Sequence, residues 1–577
     1  MSRWFVVPAF ALALLPLLGY WWMQGRPVPV ADAPSLQVPC VSYAPYRDGQ
    51  SPFDESLVIP AAQIADDLAR LRSITSCVRT YAIDQGLAEV PAAARDLGMT
   101  VMLGAWIGPK REKNEKSLSG VIDLARRYPD VVKAVIVGNE VLLRQEQPAA
   151  ELKAMIERVR AAVPMPVTYA DVWEFWEKNP SVAEAVDFVT IHTLPYWEDE
   201  PHAIGEAVPH VVDIWQQIRD RFPGKRVFIG EAGWPSAGRM REGARPGAVE
   251  QARFVRELMV AADKNGIDLN LIEAFDQPWK RKLEGTVGGH WGLLDSSRQP
   301  KFALRGPVSG EPQWLLLFGA SAGLGMLLLV PAVCRAPRLS AARWIGLAFG
   351  TAFAGMLLAQ GLDDGIDASR TVLDWVILFF RVTTGMAAAA LVMEALAGEK
   401  VRLLPLPAIT LLAAIRSFRR PAASWRETVL GAVRFAALFG ATASTLCLLF
   451  DARYRDFPAA LVAVPALAFL LLAVMTRRAP GGAPGGAREE RAEPGDRGDL
   501  GDLGEERLLA RILAVGAVGV AISEGMANHQ ALAWVGASLV FSLSVIVYRA
   551  AQQTAARYRR SSTIAPSSAP PAESSGA

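Results

Sequence analysis

Eight stretches of about twenty apolar residues constrain this chain more than any other feature. One runs from 4 to 23, behind Arg3, and seven more lie near 313–334, 342–361, 372–397, 428–450, 457–476, 508–524 and 530–548. A helix of that length and composition is suited to a lipid bilayer. The first run ends in Tyr20-Trp21-Trp22 and lacks a small-x-small cleavage site, so it reads as a retained anchor rather than a signal peptide. The connecting loops alternate in charge. Arg335, Arg338 and Arg343 are followed by Asp363, Asp364 and Asp367, and these by Lys400, Arg402, Arg416, Arg419, Arg420 and Arg426. The balanced loop 451–456 precedes Arg477 and Arg478, with Arg507 and Arg511 later; 524–530 carries no Lys or Arg, and the tail has Arg549, Arg557, Arg559 and Arg560. Basic loops face the cytoplasm. The pattern predicts eight spans, both termini cytoplasmic, and residues 30–310 outside the membrane. It divides the chain into an anchor (1–29), an external domain (30–310), a membrane domain of about seven helices (311–560) with a disordered loop near 479–506, and a disordered tail (561–577). The apolar piece 403–415 is short and Pro-interrupted, so an interfacial helix is expected there. Arg381, Arg434 and Glu524 fall in or beside spans, where charge is costly. They have a functional role, or they pair with one another or snorkel.

The 577 residues exceed one ordinary domain, and the net charge of +2 gives no footprint for nucleic acid. Five histidines and four cysteines, with no CxxC and no HExxH, predict neither a metal nor another cofactor. The external part has its own pattern. Short apolar runs at 38–43, 77–81, 100–106, 134–137, 167–170, 188–192, 227–230 and 269–275 alternate with helical stretches such as 61–73, 151–162 and 248–265. Eight strand–helix repeats predict an α/β fold, an eight-stranded TIM (β/α) barrel, attached to an all-α transmembrane region. An open doubly wound sheet is the alternative, weakened by the lack of a Gly-rich turn after the first strand. Cys40 and Cys77 fall on neighbouring strands in an oxidising compartment, so they form a disulfide or remain two buried thiols. Cys334 and Cys447 read as packing residues within spans.

In such a barrel the strand ends carry the chemistry. Here they hold Tyr43, Tyr81, Trp106, Asn139, Glu140, Asp171, His192, Tyr196, Glu231, Trp234, Phe275 and Trp279. Aromatic faces stack on pyranose rings, while carboxylates and amides read hydroxyls. Glu140 ends the fourth strand and Glu231 the seventh, across the mouth from each other. Two facing carboxyls are what glycoside cleavage requires. The acid of such a pair needs a raised pKa, from a nearby negative charge or a drier pocket.

The motifs Val78-Arg79-Thr80-Tyr81, Val137-Gly138-Asn139-Glu140, Gly230-Glu231-Ala232-Gly233-Trp234-Pro235-Ser236 and Phe275-Asp276-Gln277-Pro278-Trp279-Lys280 follow in order. Over nearly all of 36–300 the chain resembles glycoside hydrolase family 17, the β-1,3-glucanases and glucanosyltransferases. The resemblance implies a retaining mechanism, with Glu140 as general acid/base, Glu231 as nucleophile and Asn139 holding the sugar 2-hydroxyl. Lys280 and Glu284 resemble the charged residues after the eighth strand of that family. Gln277 departs from the acidic residue of plant relatives. The plan of anchor, barrel and spans resembles bacterial membrane proteins labelled β-(1→6)-glucan synthase. No cytoplasmic loop is large enough for a sugar-nucleotide site, which favours remodelling of existing β-glucan over polymerisation. The expected activity is transfer from β-1,3-glucan to a glucan acceptor, with β-1,6 links as an outcome. Acceptor-side aromatics would be Trp173, Trp176, Tyr196 and Trp197. The alternatives are an endo-β-1,3-glucanase and an inactive glucan-binding or export partner. The expected partners are β-glucan, the lipid bilayer and a membrane glucan synthase or exporter. The expected location is a bacterial inner membrane with the catalytic domain periplasmic.

Overall fold

The computed structural model describes residues 3–335, 339–397, 425–477 and 504–562. The expected interfacial helix at 403–415, the loop 480–506 up to residue 503, and the tail from 563 lie outside the described residues.

Eight strands close into a parallel barrel in sequence order: β1 Val41–Ser42, β2 Cys77–Arg79, β3 Thr100–Ala105, β4 Val132–Asn139, β5 Val167–Val172, β6 Val189–His192, β7 Val227–Ala232 and β8 Asp268–Leu271. Val41 pairs with both Val78 and Leu271, which closes the ring. Side chains alternate along each strand. Met102, Ala134, Ile136, Ala170 and Phe228 fill the interior with Cys40 and Phe188. Their neighbours Val101, Leu103, Val135, Val137 and Ile229 join the larger core under the helices. Cys40 and Cys77 are joined by a disulfide, Cα–Cα 4.5 Å, within the interior cluster. By chain entropy a bridge closing such a loop contributes about 2–4 kcal/mol. A polar layer is also buried between the strands. Thr168 and Thr190 share a hydroxyl hydrogen bond of 2.9 Å, and Asn270 donates to Ser42 Oγ (2.8 Å) and to the Gly230 carbonyl (2.7 Å).

Pro27–Val28 pairs antiparallel with Val308–Ser309, so the barrel's two chain ends leave side by side. On one side is the helix Val6–Gly25; on the other are Trp314–Arg335, Ala341–Ala368, Val372–Ala397, Trp425–Phe450, Ala459–Arg477, Gly504–Glu524 and His529–Ser562. Among the described residues six helices are long and apolar enough to cross a membrane, against the eight spans expected. Among the described residues Ala459–Val474 is a shorter apolar helix. Gly504–Glu524 carries Glu505, Glu506, Arg507 and Arg511 in its first turns and ends on Glu524. The first helix is packed rather than solitary. Ala9, Ala13, Leu17 and Trp21 lie against Leu317, Leu329, Trp344 and Ala348, and Trp21 Nε1 donates to Ser321 Oγ (3.0 Å).

Among the described residues, Arg381, Arg434 and Glu524 meet partners other than one another. Arg434 meets Glu506 at 2.8 Å, Arg381 donates to Ser444, and Glu524 pairs with Arg239 of the barrel. Breaking a buried pair by removing one partner leaves an uncompensated charge.

Candidate active site

Strict alternation would turn Asn139 and Glu231 toward the helices. Two local breaks prevent that. Gly138 has φ +87° and Glu140 φ +52°, and the pairing register of β4 with β5 shifts between Ile136 and Asn139. A side chain at φ near +50° is uncommon and marks a backbone over-determined by its surroundings. The register of β7 shifts against both neighbours beyond Ile229, and such bulges re-aim side chains at barrel rims. Both glutamates thereby reach the mouth.

At the centre lies Arg79, 1% exposed. Its Nη1 donates to the Gly230 carbonyl (2.7 Å) and to Glu231 Oε1 (3.2 Å), and its Nη2 to Asn139 Oδ1. Its guanidinium lies 4.8 Å from the Tyr81 ring centroid, and Tyr81 donates to Glu231 Oε1 (2.9 Å). Burial and the Glu231 charge hold the Tyr81 hydroxyl well above its ordinary range, so it stays a donor. His192 Nε2 faces Arg79 at 3.3 Å and Nδ1 faces Glu140 Oε1 at 2.9 Å. A guanidinium can only donate, so this geometry places the imidazole proton on Nδ1, donated to Glu140.

Donor atoms of Glu140, His192 and Glu231 lie within 4.8 Å of one another. That spacing suits a metal, but Arg79 occupies the same cluster with a fixed positive charge and engages His192 Nε2. It equally suits two carboxyls acting on one bond. The retaining arrangement has them about 5–5.5 Å apart and the inverting one about 6.5–9.5 Å. With one oxygen of each within 4.8 Å of the other, the pair lies nearer the shorter spacing.

Glu140 differs from the expectation of a raised pKa. Burial pushes its carboxyl up, but the His192 hydrogen bond, with the charges of Arg144 and Arg79, more than offsets this, and the net direction is down. The negative charge that was to raise it is engaged by Arg79. Replacing His192 with Phe removes the largest lowering contribution. The alkaline limb of kcat/KM, where the acid loses its proton, should therefore move to higher pH. A limb that stays put or moves down refutes the assignment of Glu140 as the acid.

Beyond β8, Lys280 Nζ contacts Glu273 Oε1 (2.9 Å) and Oε2 (3.0 Å). Burial pushes Glu273 up to about 7. Burial also opposes the charge on Lys280, but Glu273 and Glu284 outweigh it and hold Lys280 above its ordinary value. These directions favour a neutral acid and a charged amine in one pair. The bidentate contact is ion-pair geometry, so the paired state is the one adopted. Glu284 is raised by burial, with the Glu140 and Glu231 charges adding to it.

Several expected contacts to substrate lie elsewhere. Tyr43, Tyr196, Trp234 and Phe275 are fully buried, as is Trp176. Their polar atoms are spent inside the protein: Tyr43 on Asp67, Tyr196 on the Arg239 carbonyl, Trp234 on the Arg245 carbonyl and Trp176 on the Thr190 carbonyl. A ring at a strand end can turn into the helix layer as readily as into the mouth, and these do. Asp171 is buried too, pushed up to about 6 by burial, and bonded to the Tyr169 hydroxyl and Val172 N–H. Gln277, the departure from the plant pattern, ties Trp279 Nε1 to the Ala44 carbonyl. Partly accessible rings remain at Tyr81, Trp106, Trp173, Trp197 and Trp279. Arg79 and Glu273 were not singled out from sequence. Their signal was charge inside an apolar strand run.

A (β/α)8 barrel presenting two close carboxyls at the ends of β4 and β7 defines the glycoside-hydrolase class. Residues 40–292 match the family model of the BtgE/BtgC glycoside hydrolase domain. A glucan 1,3-beta-glucosidase of Arthroderma benhamiae is 30% identical over 300 residues, 47% of this chain and 96% of that protein. A probable glucan endo-1,3-beta-glucosidase btgC of Aspergillus terreus is 27% identical, and the match covers 47% of this chain and 46% of that one. An active-site mutant of Rhizomucor miehei β-1,3-glucanosyltransferase in complex with laminaritriose is 25% identical, with a TM-score of 0.42 and coverage of 47% of this chain and 98% of that one. The chain belongs to the BtgE/BtgC family of glycoside hydrolases, of the family-17 type, and is an enzyme of that type.

Proposed function

We propose that the chain is a membrane-anchored retaining transglycosylase that cleaves β-1,3-glucan and transfers the released segment to a glucan acceptor, forming β-1,6 links. The observation that carries this is the Glu140–Glu231 pair within 4.8 Å, set around Arg79 and His192. Glu140 donates its proton to the departing glycosidic oxygen. Glu231, oriented by Arg79 and Tyr81, attacks the anomeric carbon and forms a glucosyl-enzyme. Asn139 Oδ1 accepts from Arg79, so its amide nitrogen is the donor left for the sugar 2-hydroxyl. Glu140, now a carboxylate, takes the proton from the incoming hydroxyl as the ester is displaced. A glucan 6-hydroxyl in that role makes a β-1,6 link, and water makes a hydrolysis product. A sugar covering Glu140 excludes water and adds to the upward push of burial on its pKa, which the acid step needs.

The charge alternation of the loops supports a periplasmic barrel on a bacterial inner membrane, with both termini cytoplasmic. Tethering beside a membrane glucan synthase or exporter would supply acceptor chains at high effective concentration and favour transfer over water. The names of the fungal relatives favour a second reading, an endo-β-1,3-glucanase. Incubating the purified full chain with β-1,3-gluco-oligosaccharides decides between them. Longer and 1,6-linked products are expected. Only shorter products leave the hydrolase, and no turnover leaves the inactive binding partner.

A further inference from the structure

We propose that the loop 451–456, between the membrane-region helices Trp425–Phe450 and Ala459–Arg477, forms an outer glucosyl subsite with Trp197; this rests on the β-glucan reading above. The loop is seated on the catalytic rim. Gly285 has φ +75°, and a Cβ there would lie 2.5 Å from the Tyr454 carbonyl oxygen. Thr286 donates to Asp456 Oδ2 at 2.6 Å. These contacts fall on the helix Arg281–Gly288, which carries Glu284 and directly follows Lys280, the partner of Glu273. From the other side Arg239 donates to the carbonyls of Ala452 and Arg455, lies 4.9 Å from the Phe457 ring and pairs with Glu524. A connection held from both sides is positioned more firmly than a linker requires.

What it positions is a ring. Tyr454 is 37% exposed and stands edge-on to Trp197, centroids 5.8 Å apart at 73°. Trp197 is braced behind by near-parallel stacking on Trp291, whose carbonyl accepts the Glu273 N–H. The Arg453 guanidinium lies over the Trp197 ring (5.9 Å) and the Tyr454 ring (5.6 Å), and Arg241 lies over Trp197 at 5.4 Å. Two rings at nearly a right angle, with guanidinium groups over them, make a corner whose exposed ring carbon packs on a pyranose while the cations hydrogen-bond its hydroxyls. The corner adjoins the Lys280–Glu273 edge of the cleft, so it receives glucosyl units away from the cleaved bond and discriminates by chain length.

The test compares kcat/KM of the full chain on a β-1,3-linked trisaccharide and hexasaccharide. The unmutated chain should prefer the hexasaccharide. Tyr454→Leu keeps apolar volume against Trp197 but has no ring, and should lower that preference about tenfold, mainly through KM. Tyr454→Phe should retain it. An unmutated chain without preference, a Leu variant that keeps it, or a Phe variant that loses it as Leu does would each overturn the subsite. Absence of turnover by the unmutated chain overturns the transglycosylase reading on which the subsite rests, and the subsite with it.

Discussion

Glu231→Gln should lower kcat on β-1,3-gluco-oligosaccharides by about 10⁴-fold or more while oligosaccharide binding persists. The amide has the shape of the carboxylate, and its oxygen can still accept from Tyr81 and Arg79, which meet Glu231 at 2.9 and 3.2 Å. It cannot form the glucosyl ester. Binding by calorimetry and turnover by product release separate the two effects. A variant that retains more than about 1% of wild-type kcat would remove Glu231 from the nucleophile's role, because a retained oxygen acceptor alone does not open a covalent path.

The second large effect is expected at Arg79. Replacement by Met removes the cation beside Glu231, which is 4% exposed, and the donors to Gly230 and Asn139. An uncompensated buried charge costs about 3–5 kcal/mol. Thermal or denaturant unfolding should show a loss on that scale, and kcat/KM should fall about 10²–10³-fold as Glu231 and Asn139 lose their common anchor. Arg79→Lys restores charge but not the planar fork, so it should recover stability more than activity. If the Met variant kept both stability and kcat/KM, the central role given to Arg79 would be wrong.

The contrast between Glu231 and Arg79 shows what a sequence exposes of such a site. The eight strands were legible because each is an apolar run bounded by polar helices, and the glutamates because each ends such a run. Arg79 sits inside one, where a charge reads as an interruption of the strand. It became central only when closure brought Gly230, Glu231, Asn139 and His192 to one point. The buried rings of Tyr43, Tyr196, Trp234 and Phe275 failed as cleft residues for a related reason. Sequence position places a residue at a strand end, but a bulge or a left-handed residue decides which way it faces, as at Gly138. The direction of the Glu140 pKa depended on His192, whose nearness across β4 and β6 follows from barrel geometry. The corner at Tyr454 was least legible of all: Thr286 and Asp456, which meet beside it, are 170 positions apart.

The paired strands Pro27–Val28 and Val308–Ser309 have a consequence for how the chain assembles. Trp21 and Ser321 meet across 300 positions, which would ordinarily make their encounter a slow, high-contact-order event. Once the barrel has folded, however, its two ends emerge hydrogen-bonded to each other. The helices that follow them then start from adjacent positions, and the entropy of closing the long intervening segment has already been met by the barrel's own folding. To the helical bundle the whole barrel domain acts as a hairpin turn. Assembly of the first helix with the rest therefore waits on barrel folding, and a barrel that cannot fold should leave that helix undocked.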